Sequence, residues 1–152
     1  MEFLWWTLGT LFGIAALVLL ISLYCYFRVF YSPKRKPLGE DEFEIPFGNE
    51  YEAISEQIKA WTRAARTLPH EELEIKSRDG LTLRGKYYEN KKGAPVEILL
   101  HGYRGNGERD MSGGIARAFA LERNALVIDH RAAGRSEGHT IYLFLLRFCG
   151  CN

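Results

Sequence analysis

Residues 124 to 138 read "NALVIDHRAAGRSEG". After Asn124 the next four are apolar, as in a short strand buried on both faces; the rest is a loop rich in glycine and charge. A second such run lies upstream, "VEILLHG" at 96–102, and is followed by the loop "YRGNGER". Between the two, "DMSGGIARAFALER" at 110–123 has helical spacing, with Asp110 as the expected cap and Ile115, Phe119 and Leu121 or Ala118 facing inward. Strand, helix and strand in that order make a β-α-β unit, so part of the sheet is parallel. Before it, "EELEIKS" and "LTLRGKYYE" alternate in polarity around "RDG", which predicts an antiparallel hairpin. The sheet is therefore mixed and the class is α/β. Further upstream, Tyr51, Ile54, Ile58 and Trp61 recur at three- and four-residue spacing, which predicts an amphipathic helix over residues 50–66 that Pro69 ends.

The N-terminus is a different kind of sequence. "FLWWTLGTLFGIAALVLLISLYCYF" runs from Phe3 to Phe27, 25 residues without a charge. As a helix this spans roughly 37 Å, against about 30 Å for a bilayer's hydrocarbon core. Trp5 and Trp6 at one end and Tyr24, Tyr26 and Tyr31 at the other suit the two interfaces. A signal peptide wants a basic start and a small-residue cleavage site, and neither is present. Arg28, Lys34, Arg35 and Lys36 follow the segment, whereas Glu2 precedes it, so the expected orientation puts the N-terminus outside and the rest of the chain in the cytoplasm. Residues 28–49 hold three of the five prolines and dense charge, and read as a juxtamembrane linker.

Net charge is +1 over 152 residues, with acidic and basic residues interspersed. Nucleic acid is therefore not an expected partner; the bilayer is. Cys149 and Cys151 form a Cys-x-Cys without a second ligand pair, and Cys25 lies in the apolar segment, so neither a metal site nor a disulfide framework is expected.

"ILLHGYRGN" after one strand and "VIDHRAAGRSEG" after the next resemble the α/β-hydrolase fold, in particular membrane-anchored or secreted hydrolases akin to serine aminopeptidases and acylglycerol lipases. The resemblance runs from about Glu71 to Thr140 and rests on His101-Gly102 together with Asp129, Arg131, Gly134, Ser136 and Gly138. It implies cofactor-free hydrolysis of a small ester or peptide through an acyl-enzyme. It also implies that the Tyr103 amide is an oxyanion donor, that His101 and His130 are structural, and that residues 129–138 support the site.

Gly134-Arg135-Ser136-Glu137-Gly138 matches the Gly-x-Ser-x-Gly of a nucleophile elbow. An elbow places its serine directly at a strand's end and opens a helix. Here the strand ends several residues earlier and "EGHT" opens no helix. Only Glu137 and His139 follow as acid and base, and such close neighbours cannot surround one substrate. Ser136 is thus expected not to be the nucleophile, and the triad is expected to be absent from residues 50–140. In the family a further strand would carry it beside "VEILLHG"; without that neighbour "VEILLHG" is expected to lie at an apolar edge. Residues 141–152, "IYLFLLRFCGCN", depart from the family pattern, as a frameshift, a premature stop or a gene-model error near Ile141 would produce. Two other readings stay open: a non-catalytic membrane-bound interaction module, and half of a split hydrolase whose partner chain is unknown.

Overall fold

The computed structural model describes residues 1–34, 39, 42, 43, 45 and 48–141; the 141–152 tail, with Cys149 and Cys151, thus falls outside the described residues except for Ile141. The apolar segment forms one helix, α1 (Glu2–Val29), with an 18-residue stretch of mean hydropathy 2.3 and no buried residue. It is long and apolar enough to cross a membrane, by length and composition. Three of its hydroxyls are satisfied within the helix: Thr7, Thr10 and Ser22 donate to the carbonyls of Leu4, Trp6 and Val18 at 2.8–2.9 Å. Back-bonding of this kind frees these three hydroxyls from any need of water.

The predicted amphipathic helix is two elements. A 3-10 turn spans Asn49–Ile54, and α2 spans Ser55–Thr67. Ile58, Thr62 and Ala65 are buried and Ile54 is exposed, which corrects the expected face. The 3-10 stretch has a different residue period from the α-helix, so Ile54 falls off the stripe that Ile58 begins.

The hairpin forms as predicted, β1 (Glu71–Lys76) against β2 (Thr82–Tyr88), in the register Glu71↔Tyr87 to Lys76↔Thr82. β3 (Val96–Leu100), α3 (Gly107–Ala120) and β4 (Asn124–Ile128) make the β-α-β unit, with β3 and β4 parallel from Val96↔Asn124 to Leu100↔Ile128. β4 also pairs antiparallel with β2, so the order across the sheet is β1-β2-β4-β3.

Both α2 and α3 pack on the same side of the assembly, and α3 lies on β3 and β4. Between them sit Ala65, Tyr88, Leu99, Ile115, Ala118, Ala125 and Val127. Two adjacent glycines set how closely α3 can approach. A Cβ on Gly113 would come within 3.0 Å of the Trp61 ring, and one on Gly114 within 3.2 Å of Leu99. The helix begins earlier than expected: Asn106 is its cap, its side chain accepting from the Arg109 amide at 2.8 Å, and Asp110 lies in the first turn. Leu121, an inward candidate, is exposed.

β3 is not the strand buried on both faces that its apolar run suggests. Only Leu99 is buried; Val96, Ile98 and Leu100 are 48%, 59% and 51% exposed. The strand has β4 on one side, no partner strand on the other among the described residues, and one bare face. It is the apolar edge that the sequence predicts where the neighbouring strand is lacking.

Candidate functional site

The two motifs meet at the ends of β3 and β4. His101, directly after β3, is 6% exposed. Its Nε2 accepts from the His130 amide at 3.0 Å, and its Nδ1 faces the Gly102 carbonyl at 2.8 Å. An acceptor at one nitrogen and a donor at the other is the neutral tautomer. The ring therefore bolts the end of β3 to the end of β4, and the His101 and His130 rings meet edge to face at 4.5 Å. Partial burial, then the neighbouring His101, pull the pKa of His130 below its usual value.

Gly102 to Gly105 form a turn closed by the Gly105 amide on the Gly102 carbonyl, with Arg104 in left-handed backbone at φ 57°. The Tyr103 amide makes no hydrogen bond among the described residues. The side chains of this turn reach α1. Tyr103 Oη donates to the Val29 carbonyl, and the Arg104 guanidinium donates to the carbonyls of Arg28 and Tyr31. These are terminal carbonyls that a helix leaves without internal partners. The chain beyond α1 is held by the loop after β4 as well: Ser32 donates its amide to His139, Ile141 donates to Phe30, and the His139 ring stacks on Tyr31. Nothing local in the sequence announces this clamp.

The loop after β4 is built around Asp129. One carboxylate oxygen accepts from the Gly107 amide at 2.7 Å, the other from the Arg135 amide at 3.0 Å. One side chain thus joins the start of α3 to the Gly-x-Ser-x-Gly loop. Gly134 has φ 50°, and a Cβ there would lie 2.3 Å from that carboxylate, so the position admits only glycine. Arg131 pairs with Asp79 in the hairpin turn, which holds the Asp79 carboxyl down at about 2. Gly138, at φ 109°, lets the loop pass over Arg131.

Ser136 is 4% exposed, and its hydroxyl is engaged on both sides. It accepts from the Arg84 amide at 2.8 Å and donates to the Asp129 carbonyl at 2.6 Å. Next to it, Glu137 accepts from the Thr82 amide at 2.7 Å and donates its own amide to the Thr82 carbonyl at 2.9 Å. The pairing of β2 with β4 ends at Gly85↔Ile128. Beyond that point Ser136 and Glu137 side chains take the place of strand acceptors for β2. That role for Glu137 escapes a reading by sequence alone, because Thr82 is 55 residues away. None of the four histidines is a partner of the Ser136 hydroxyl. His70 binds the Leu68 carbonyl, His101 the His130 amide, and His139 stacks on Tyr31. Among the described residues no cluster of three or more His, Cys, Asp and Glu is placed to hold a metal ion.

The chain thus has a mixed sheet in the order β1-β2-β4-β3, with these motifs at the ends of its two parallel strands, behind one long apolar helix. No protein-family profile matches the sequence. Among solved structures the chain is similar to an esterase of Pyrococcus furiosus, at 26% identity over 65% of this chain and 34% of that one, with a TM-score of 0.46. It is similar to an α/β-hydrolase of Novosphingobium aromaticivorans at 28% identity, over 47% of this chain and 24% of that one, with a TM-score of 0.39. The esterase LipW of Mycobacterium marinum follows at 19% identity, over 63% of this chain and 38% of that one, with a TM-score of 0.39. The chain thus spans less than two fifths of the length of each of these proteins.

Proposed function

We propose that these residues are the oxyanion side of a membrane-anchored α/β-hydrolase, that they carry no nucleophile of their own, and that the chain by itself turns over no ester or peptide. The observation that supports this best is the Ser136 hydroxyl, buried and bonded between the Arg84 amide and the Asp129 carbonyl. A nucleophilic serine needs a histidine base within hydrogen-bond reach and an open approach to the substrate. In a complete protein of this type the Tyr103 amide supplies one donor to the developing oxyanion, and the second comes from the residue after a serine on another strand. The substrate is then a small ester or peptide, with no cofactor. α1 anchors the assembly, with Arg28 and Lys34 on the cytoplasmic side.

The test is a fluorophosphonate probe applied to the full chain in detergent micelles, with adducts mapped by peptide mass spectrometry. No adduct at Ser136, and the same background in Ser136→Ala, is the expected result. A stoichiometric adduct at Ser136 would overturn the reading.

The bare edge and face of β3 favour a second reading, a split hydrolase in which another chain lays a serine-bearing strand beside β3. There the probe labels a co-purifying protein, and the label disappears when this chain is deleted. Labelling that survives the deletion speaks against it.

A further inference from the structure

The side of the sheet covered by α2 and α3 encloses a cavity of about 570 Å³, within the size range of small-molecule sites. His101, Gly102 and Tyr103 do not line it. Its floor is β2 and β4, one wall is the first turn of α3, and Ser32, Pro33 and Lys34 stand at its rim directly beyond α1. Six cations line it, Lys34, Arg66, Arg84, Lys86, Arg104 and Arg135, against two acids, Glu108 and Asp129.

Most of these charges are committed. Arg66 pairs with Glu108, Arg84 with Glu74 and Arg135 with Glu72. Arg104 caps α1, and the Asp129 carboxylate accepts two backbone amides. Even with Glu72 and Glu74 counted, the cations outnumber the acids. Lys86 differs from the others: it is half-buried, and its ammonium has neither a hydrogen bond nor an ion pair among the described residues. Burial, and then the Arg135 charge, lower its pKa, although Glu108, Glu72 and Asp129 pull the other way. An ammonium so placed has lost part of its water without gaining a partner, and an anion would supply one. Lys34 likewise has neither a hydrogen bond nor an ion pair among the described residues, although its charge acts on Glu137, and it lies five residues beyond Val29, hence within about 17 Å of the helix end. If α1 spans a bilayer, that distance keeps the rim at the level of the lipid headgroups.

We infer that this cavity binds the phosphate of an anionic phospholipid headgroup, held by Lys86 inside and Lys34 at the rim. The lipid as the source of the phosphate rests on the membrane reading of α1; the anion site does not. The experiment uses the full chain in detergent, titrated with dioleoyl phosphatidic acid, with dioleoyl phosphatidylcholine and, separately, with inorganic phosphate, the bound species counted by native mass spectrometry. Phosphatidic acid binds in preference to phosphatidylcholine, and Lys86→Gln weakens it about tenfold, as the loss of one charge-assisted hydrogen bond does. Lys34→Gln weakens it less, and Lys92→Gln, the same charge change in the exposed turn before β3, leaves it unchanged. Circular dichroism checks that Lys86→Gln folds; if it does not, Lys34→Gln against Lys92→Gln decides. Equal loss in Lys92→Gln, or no preference between the two lipids, overturns the site. Inorganic phosphate bound with the same Lys86 dependence, without phosphatidic acid, overturns the lipid as ligand and leaves the hydrolase reading untouched.

Discussion

The two faces of the four-stranded sheet differ in sequence and in fate: Glu72, Glu74, Lys76, Arg84, Lys86 and Glu97 share the face of Tyr88 and Leu99, whereas the face of Ile98 carries Leu73, Ile75, Leu83, Tyr87, Leu126 and Ile128. On one, α2 and α3 bury Tyr88, Leu99, Ala125 and Val127. On the other, Ile75, Val96, Ile98 and Leu100 are between 48% and 64% exposed. Leu99 and its neighbour Ile98 differ only in the side to which the pleat turns them. What covers a strand is thus a property of the other elements, and "VEILL" alone does not encode it. The difference also explains where the chemistry stops. The covered face and the strand ends carry the motifs, while the open edge of β3 is where a further strand would have to lie.

The sharpest contrast lies between those neighbours. Leu99→Ala should lower stability by about 2–5 kcal/mol, the usual cost of emptying a core position, whereas Ile98→Ala should cost about 0.5 kcal/mol or less. Denaturant unfolding of the full chain in micelles reads both, and equal losses would mean that the second face is covered. Next comes the link between the covered face and the loop. In Asp129→Asn one of the two amides, Gly107 or Arg135, meets an NH2 instead of an oxygen, and about 1.5–3 kcal/mol should be lost on the same assay.

The covered face should also report on pH. Burial, and then the Glu108 charge, push the Tyr88 phenol from 10.0 up to about 12. A group whose folded pKa is raised contributes stability that is present below the unfolded value and lost as pH climbs through the folded one. Stability should therefore fall by roughly 2 kcal/mol between pH 10 and 12, and Tyr88→Phe should flatten that part of the curve. The smallest effect on stability is expected from Ile98→Lys, within about 0.5 kcal/mol, together with reduced self-association on size-exclusion chromatography, since a charge on an apolar edge discourages pairing.

The hairpin and the β-α-β unit were legible because their signals are local: alternation around "RDG", and two apolar runs flanking a helical one. The start of α3 was not. "GNGERD" has the glycines of a loop, yet Gly107 is the first helical residue and is buried so close to β4 that a Cβ would meet Val127 at 2.5 Å. That reason is tertiary and leaves no mark in the string. The same holds at the site. The distance of Ser136 from its strand is readable from the order of residues, but the Arg84 amide that its hydroxyl serves lies 52 residues upstream. The clamp of Tyr103 and Arg104 on α1 joins residues more than 70 apart, from two segments whose sequences share no pattern.

The measurement that bears most directly on the one-sided sheet is hydrogen exchange of the full chain in micelles, resolved to β3 and β4. β4 is paired on both sides and β3 on one, so amides of residues 124–128 should outlast those of residues 96–100 by orders of magnitude. Equal protection of the two strands would contradict the account, because it would place a partner on the open edge of β3.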